Sequence, residues 1–133
     1  MKTLDEGSVR ELLIDFTEKW NAGDLEGACK IYAEDASYVS SLGVLHGKNA
    51  ILLHYKSAYN TQSIVRRLSL HLLEFRPANT PSNLPISMAT TLLRWQLGED
   101  STTTGFSMVA YEMRQGEISI VQDASFEWEG KGQ

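Results

Sequence analysis

The stretch EISIVQDASFEW, residues 117–128, decides how the rest of the chain is read. Its apolar residues Ile118, Ile120, Val121, Ala124 and Phe126 all favour leaving water, and a carboxylate, Asp123, stands among them. An ionised aspartate is costly to bury unpaired, so Asp123 either faces solvent or is used by the fold. Strict strand alternation puts Asp123 and Ser125 on the face of Val121, with Gln122 and Ala124 on the other. The polar residues Glu117, Ser119 and Glu127 share the parity of Asp123, which argues for an outward face. Alternation alone leaves both directions open. Ile118, Ile120 and Phe126 on one face and Val121 on the other make the strand apolar on both sides, so a second covering layer is expected.

Upstream lie three more strand-like runs: SIVRRLSLHLLEF (63–75), ISMATTLLRWQL (86–97) and TTTGFSMVAYEMR (102–114). The segments between them carry turn chemistry: the proline-bearing RPANTPSNLP (76–85), then GEDS (98–101), then Gln115-Gly116. These spacings predict hairpins and a mostly antiparallel sheet.

The first half of the chain changes period. Val9, Leu12, Leu13, Phe16 and Trp20 recur at helical spacing and form one apolar face. Ser8 and Glu11 match a capping box, and Gly23 supplies a left-handed helix end. Asp24 can cap a second helix at once, with Leu25, Ala28, Cys29 and Tyr32 on its buried side. A short strand, SYVSS (37–41), follows, with Gly43 and Gly47 bracketing a turn. A third helix is predicted from about Asn49 through Tyr59, with Ile51, Leu52, Tyr55 and Tyr59 facing inward. No repeat or linker divides the chain, so residues 1–133 read as one domain with an ordered core over about 6–128. The terminal GKGQ (130–133) is the segment expected to be disordered.

Composition narrows the partners. With 12 basic and 17 acidic residues the net charge is −5 and the pI near 5.1, which opposes nucleic-acid phosphates and anionic membranes. Neither nucleic acid nor membrane is expected as a partner. No apolar run resembles a signal peptide or a membrane span, and a soluble cytoplasmic protein is the expectation. The single cysteine, Cys29, allows no internal disulfide and reads as a buried structural thiol.

Three segments carry a family resemblance. WNAGDLEGACKIYAEDASYV (20–39) resembles the first-helix end, acidic turn and "YAxDA" strand entry of the nuclear transport factor 2-like superfamily. GVLHGKNAILLHYKSAY (43–59) is similar to its "GxxxI" entry to the third helix, and GFSMVAYEMRQGEISIVQDASF (105–126) to its closing hairpin. Within that superfamily, with its ketosteroid isomerase-like cone fold, the chain most resembles the SnoaL-like group of small bacterial proteins. The resemblance implies an α+β fold, a cone of three N-terminal helices packed on a curved, mostly antiparallel sheet. It also implies a pocket open at one end and a homodimer formed through the outer sheet face.

Such a pocket would be lined by Trp20, Tyr32, Tyr38, Ser40 and Tyr55. Aromatics with polar tips suit a mostly apolar ligand with a few polar groups. Core filling is the competing explanation for each of them. In the polyketide cyclases of this superfamily an aspartate at the place of Asp123 acts as acid and base, so the resemblance points Asp123 inward. Asp123 is therefore the candidate proton-transfer group and Tyr38 the candidate hydrogen-bond donor.

Steroid isomerases place their general base four residues after the YAxDA entry, where this chain has Ser40. A neutral serine cannot abstract a carbon-bound proton, which argues against that reaction. The Arg-x-Asp motif of the fold's epoxide hydrolases meets Arg94-Trp95-Gln96, without the acid. His46, His54 and His71 lack metal-ligand spacing, and no phosphate loop or nucleophile elbow occurs. The expectation is a small-molecule pocket, possible acid/base chemistry on a hydrophobic oxygenated metabolite, and no metal or redox cofactor. The alternative is a non-catalytic ligand-binding or dimerisation module.

Overall fold

The computed structural model describes residues 3–61, 64–65, 67–78, 87–98 and 103–128. Helix α1 (Glu6–Asn21) is followed by a single helical turn, α2 (Leu25–Ala28), and a 3-10 turn at Cys29–Ile31. Strands β1 (Tyr32–Ser40) and β2 (Gly43–His46) precede α3 (Lys48–Tyr59). A small ribbon, β3 (Asn60–Thr61) with β4 (Ile64–Val65), leads to the long strands β5 (Leu68–Pro77), β6 (Met88–Leu97), β7 (Thr103–Arg114) and β8 (Glu117–Trp128). Six strands form one sheet in the order β2-β1-β8-β7-β6-β5, antiparallel throughout except for the parallel β1–β8 pair. This is the expected α+β architecture of helices packed on a mostly antiparallel sheet.

Local chemistry accounts for the element ends. Asp5, rather than Ser8, caps α1: its side chain accepts from the Ser8 amide at 2.8 Å. The expected capping box gives way because the helix begins two residues earlier than Ser8 at Glu6, where Asp5 already holds the exposed amide. Gly23, at φ 86°, ends that turn, and Asp24 caps α2 by accepting from the Gly27 amide. The expected second helix does not reach Tyr32. After one turn the chain tightens, and Tyr32 becomes the first residue of β1, paired with Ile120 of β8. The turn expected between Gly43 and Gly47 is a strand that closes on β1 from Gly43 to His46. In the run 63–75, Ile64 and Val65 belong to the ribbon, and the long strand starts only at Leu68. Residues 79–86, 99–102 and 129–133, which include most of two expected turns and the terminal GKGQ, lie outside the described residues. The Tyr59 side chain lies outside them too.

One pairing irregularity sets the faces of the sheet. Across β7 and β8, Ala110 opposes Gln122 while Tyr111 opposes Ile120, so Val121 is an extra residue, a β-bulge. Before it the even residues Ile118 and Ile120 point into the core. After it the odd residues Asp123 and Ser125 do. The shared face expected for Ile118, Ile120 and Phe126 is thus corrected: both isoleucines are buried, and Phe126 is on the outer face. A second bulge at Leu73 works the same way on β5, where Leu68, Leu70 and Leu72 pack inward before it and Phe75 after it.

The core lies between this inner sheet face and the helices. Val9, Leu13 and Trp20 of α1 and Ile51 and Tyr55 of α3 are buried against it; Leu12, Phe16 and Leu52 are partly so. Asn21 fixes the end of α1 to the sheet edge, donating to the Leu68 carbonyl at 3.0 Å and accepting from the Leu68 amide at 2.7 Å. This clamp holds Trp20, the preceding residue, over the mouth of β5. Cys29 is buried, and burial pushes its thiol up to about 12, which leaves essentially no reactive thiolate at neutral pH. No helix among the described residues is long and apolar enough to cross a membrane.

Candidate functional site

The bulge brings Asp123 to the inner face, where only 6% of it remains exposed. Tyr32, at the start of β1, donates its hydroxyl to Asp123 Oδ2 at 2.7 Å, and Ser125 donates to Oδ1 at 2.8 Å. Behind these stand two further hydroxyls: Tyr55 at 2.7 Å from Tyr32, and Ser107 at 2.6 Å from Ser125. The proton directions follow by counting. A hydroxyl has one proton, and those of Tyr32 and Ser125 go to Asp123, so Tyr55 must donate to Tyr32 and Ser107 to Ser125. Two arms therefore run toward one carboxylate: Tyr55 to Tyr32 to Asp123, and Ser107 to Ser125 to Asp123.

The charges follow from this placement. Burial raises the Asp123 pKa above the ordinary carboxylate value, while the bonds from Tyr32 and Ser125 work in the opposite direction without cancelling it. No cationic side chain among the described residues is paired with it. The Tyr32 phenol is pushed well above its usual range, chiefly by burial and then by the nearby Asp123 and Tyr55. Tyr55 is raised as well, again chiefly by burial, so both phenols stay protonated donors at neutral pH. A second buried pair, Thr91 and Tyr111 at 2.9 Å, lies one strand further along the same face.

Aromatic rings wall the space above the carboxylate. Phe16, Trp20, Tyr32, Tyr38 and Tyr55 surround a cavity of about 70 Å³ whose polar lining is Asp123, Ser107 and Ser125. Trp20 meets Tyr55 edge-on at 5.1 Å between ring centres, and Tyr38 meets Tyr55 in the same manner at 5.7 Å. Such a volume holds about five waters, well below the roughly 300 to 1,000 Å³ of drug-sized pockets. The aromatic side chains thus fill much of the cone and leave a small apolar chamber with one acidic wall.

Of the residues singled out in the sequence, Trp20, Tyr32, Tyr38, Tyr55 and Asp123 come together at this cavity, and Ser40 does not. Ser40 sits at the end of β1, where its hydroxyl accepts from the Leu42 amide at 3.2 Å. Tyr38 lies opposite Asp123 in the β1–β8 register and is buried. His54 lies on α3 near this cavity. It is half-buried against the rings of Tyr38 and Tyr55, and burial lowers its pKa. His46 ends β2 beside Ser37, and His71 is exposed on β5; among the described residues no three potential metal ligands converge. Arg94 is exposed on the outer face, so the Arg94-Trp95-Gln96 run does not turn its arginine toward the cavity. Sequence reading passed over Ser107 and Trp95. Ser107 had a usable signal, a small polar residue in phase with Gly105, Val109 and Tyr111.

No family model and no curated protein matches this sequence. Solved structures do. A nuclear transport factor 2-like protein of unknown function from Shewanella oneidensis has a TM-score of 0.74 at 26% identity, over 89% of this chain and 95% of that one. A ketosteroid isomerase-like protein from Erwinia carotovora atroseptica has a TM-score of 0.67 at 12% identity, over 89% and 92%. The β subunit of benzoate 1,2-dioxygenase from Burkholderia mallei has a TM-score of 0.66 at 14% identity, over 100% and 97%. The fold is that of the nuclear transport factor 2-like superfamily. A fold of this kind does not by itself specify an activity, which depends on the side chains of a site.

The buried carboxyl makes stability depend on pH with a definite sign. Its folded pKa is raised, so the stability this group contributes is fully present below the unfolded value near 3.8 and is lost as pH rises through the folded pKa. Asp123→Asn has no such slope. Urea midpoints taken from about pH 3 to about pH 8 should show the variant gaining on the wild type as pH rises. A wild type that gains on the variant over that range contradicts the placement of Asp123.

Proposed function

We infer that this chain is a small-molecule-binding pocket protein of the SnoaL-like kind, in which Asp123 can serve as an acid and base toward a mostly apolar, oxygenated ligand. The observation that carries this reading is a buried carboxyl, paired with no cation among the described residues, in the wall of an aromatic cavity. Burial moves the pKa of this carboxyl upward, toward the range in which a carboxyl can exchange a proton with a ligand. Tyr32 and Ser125 hold its two oxygens in fixed positions, and Tyr38 lies opposite it in the sheet register. Tyr38 is the proposed donor to the ligand.

The small volume favours a second reading, a binding or assembly module that performs no chemistry. Both readings share the outer sheet face. There Phe106 pairs with Phe126, Met108 with Ala124 and Leu92 with Met108, and Phe126 and Met108 are 48% and 63% exposed. A contiguous apolar face on a single subunit is the kind of surface that pairs copies of a chain. The neighbour from Burkholderia mallei is itself a subunit of a larger enzyme, which supports an assembling role for the fold.

Two measurements test this. Light scattering on a sizing column should give twice 14.9 kDa, and a monomer mass at micromolar concentration would contradict the pairing. A planar hydrophobic compound should change tryptophan emission on binding, because Trp20 and Trp95 line the cavity. That change should shrink in Trp20→Phe and persist in Trp128→Phe. A signal that disappears with Trp128, which lies on the outer face, would place the compound outside the cone.

A further inference from the structure

Among the described residues that line the cavity, Asp123 is the one ionisable group apart from the phenols of Tyr32, Tyr38 and Tyr55. No lysine, arginine or histidine stands with them in that lining. His54 lies against the rings of Tyr38 and Tyr55 outside it, and burial lowers its pKa, which keeps it neutral at pH 7. The walls therefore carry an acid and, among the described residues, no counter-charge. Beside the acid the rings form a closed circuit. Phe16, Trp20, Tyr55 and Tyr32 follow one another at 5.9, 5.1 and 6.3 Å between ring centres, and 6.5 Å returns from Tyr32 to Phe16. Trp20 and Tyr55 stand at 77° to each other and Phe16 and Tyr32 at 75°, so the rings turn their faces in several directions instead of stacking.

Each of these features favours a positively charged occupant. An aromatic face attracts a cation within about 6 Å of the ring centre, most strongly where water is excluded. The hydroxyl arms act as acceptors toward a ligand. While Asp123 is ionised, the protons of Tyr32, Ser125 and Ser107 run along the arms toward it, and these oxygens have only lone pairs left to offer. A neutral occupant leaves the buried carboxylate without a partner charge, and an anion adds a like charge at low dielectric. A cation supplies the partner, and folding has already taken the carboxylate out of water. The chamber, at about 70 Å³, is small enough for one compact occupant to reach the rings and the carboxyl together.

Resting on the pocket reading above, we propose that the cavity takes a compact organic cation, a primary alkylammonium compound. Its N–H groups donate to Asp123 and to the oxygens of Ser107 and Ser125. Its alkyl part, whose hydrogens share the positive charge, lies against the circuit of rings. Any oxygen the ligand carries is then a neutral hydroxyl or carbonyl. The bound charge also holds Asp123 in its ionised form, the form in which a carboxylate acts as a base. Anions of the same size are rejected.

The test uses the full chain labelled with ¹⁵N at neutral pH and three probes of one shape: isobutylamine, isobutanol and isobutyrate. The signals followed are the Trp20 indole and the backbone amides of Ser107, Asp123 and Ser125. Isobutylamine should move them saturably, at half-saturation roughly five- to thirtyfold below that of isobutanol, the worth of a desolvated cation–π contact. Isobutyrate should need more than either. In Asp123→Asn, which keeps the shape and removes the charge, the preference for the amine over the alcohol should disappear. Isobutanol binding as tightly as isobutylamine in the wild type overturns this inference and spares the pocket reading. A preference for the amine that survives Asp123→Asn does the same, because it would come from the net charge of −5 and not from the cavity. If Asp123→Asn does not fold, the wild-type comparison of the three probes decides alone. No saturable response of any followed signal to any probe overturns the pocket reading and this inference together.

Discussion

The extra residue at Val121 shifts the pairing of the last hairpin by one, and through that shift a carboxylate enters the interior. Without the bulge, Asp123 and Ser125 would share a face with Glu117 and Ser119, and the inner wall would run Ile118, Ile120, Gln122, Ala124 and Phe126, with no carboxylate. With it, a strand that begins by burying Ile118 and Ile120 ends by burying Asp123. Bulges re-aim side chains at just such places in sheets. The shift satisfies two demands at once. The core takes the isoleucines, and the cavity takes the acid.

A buried charge needs compensation, and here hydroxyl groups supply it. Tyr32 and Ser125 each give a proton to one carboxylate oxygen, and Tyr55 and Ser107 stand behind them. These four residues come from the start of β1, from α3, from β7 and from β8, so the network ties the helical layer to the sheet through one side chain. Asn21 contributes from outside the network by fixing the end of α1 to Leu68, which holds Trp20 over Tyr55. A network of this kind is costly to satisfy only in part. Its members are for that reason placed by the fold more than by their own strand or helix preferences.

The sequence carried much of this in a readable form. Helix α1 announced itself through Val9, Leu13 and Trp20, and β8 ran over the span its composition predicted. Four aromatic candidates and Asp123 do meet at one cavity. What it concealed were departures from regular period. Two apolar neighbours, Ile120 and Val121, are compatible with a two-sided strand or with a bulge, and only pairing with Ala110 and Tyr111 separates the two. Tyr32 fits a helical spacing from Leu25 by count alone, yet the chain needs it at the head of β1. Ser40 was chosen by its distance from the YAxDA segment, but the β1–β2 hairpin turns there and draws its hydroxyl to Leu42. The position of Trp95 depends on Gly105 lying opposite, a relation between strands that no local pattern displays.

The whole arrangement turns on Asp123 facing the cone with its pKa raised by burial. Following the Asp123 side-chain carbon by NMR across a pH titration tests it with no ligand required, and Asp123→Asn identifies the signal. The account predicts a midpoint clearly above the ordinary aspartate range. A midpoint at or below about 4 would contradict it.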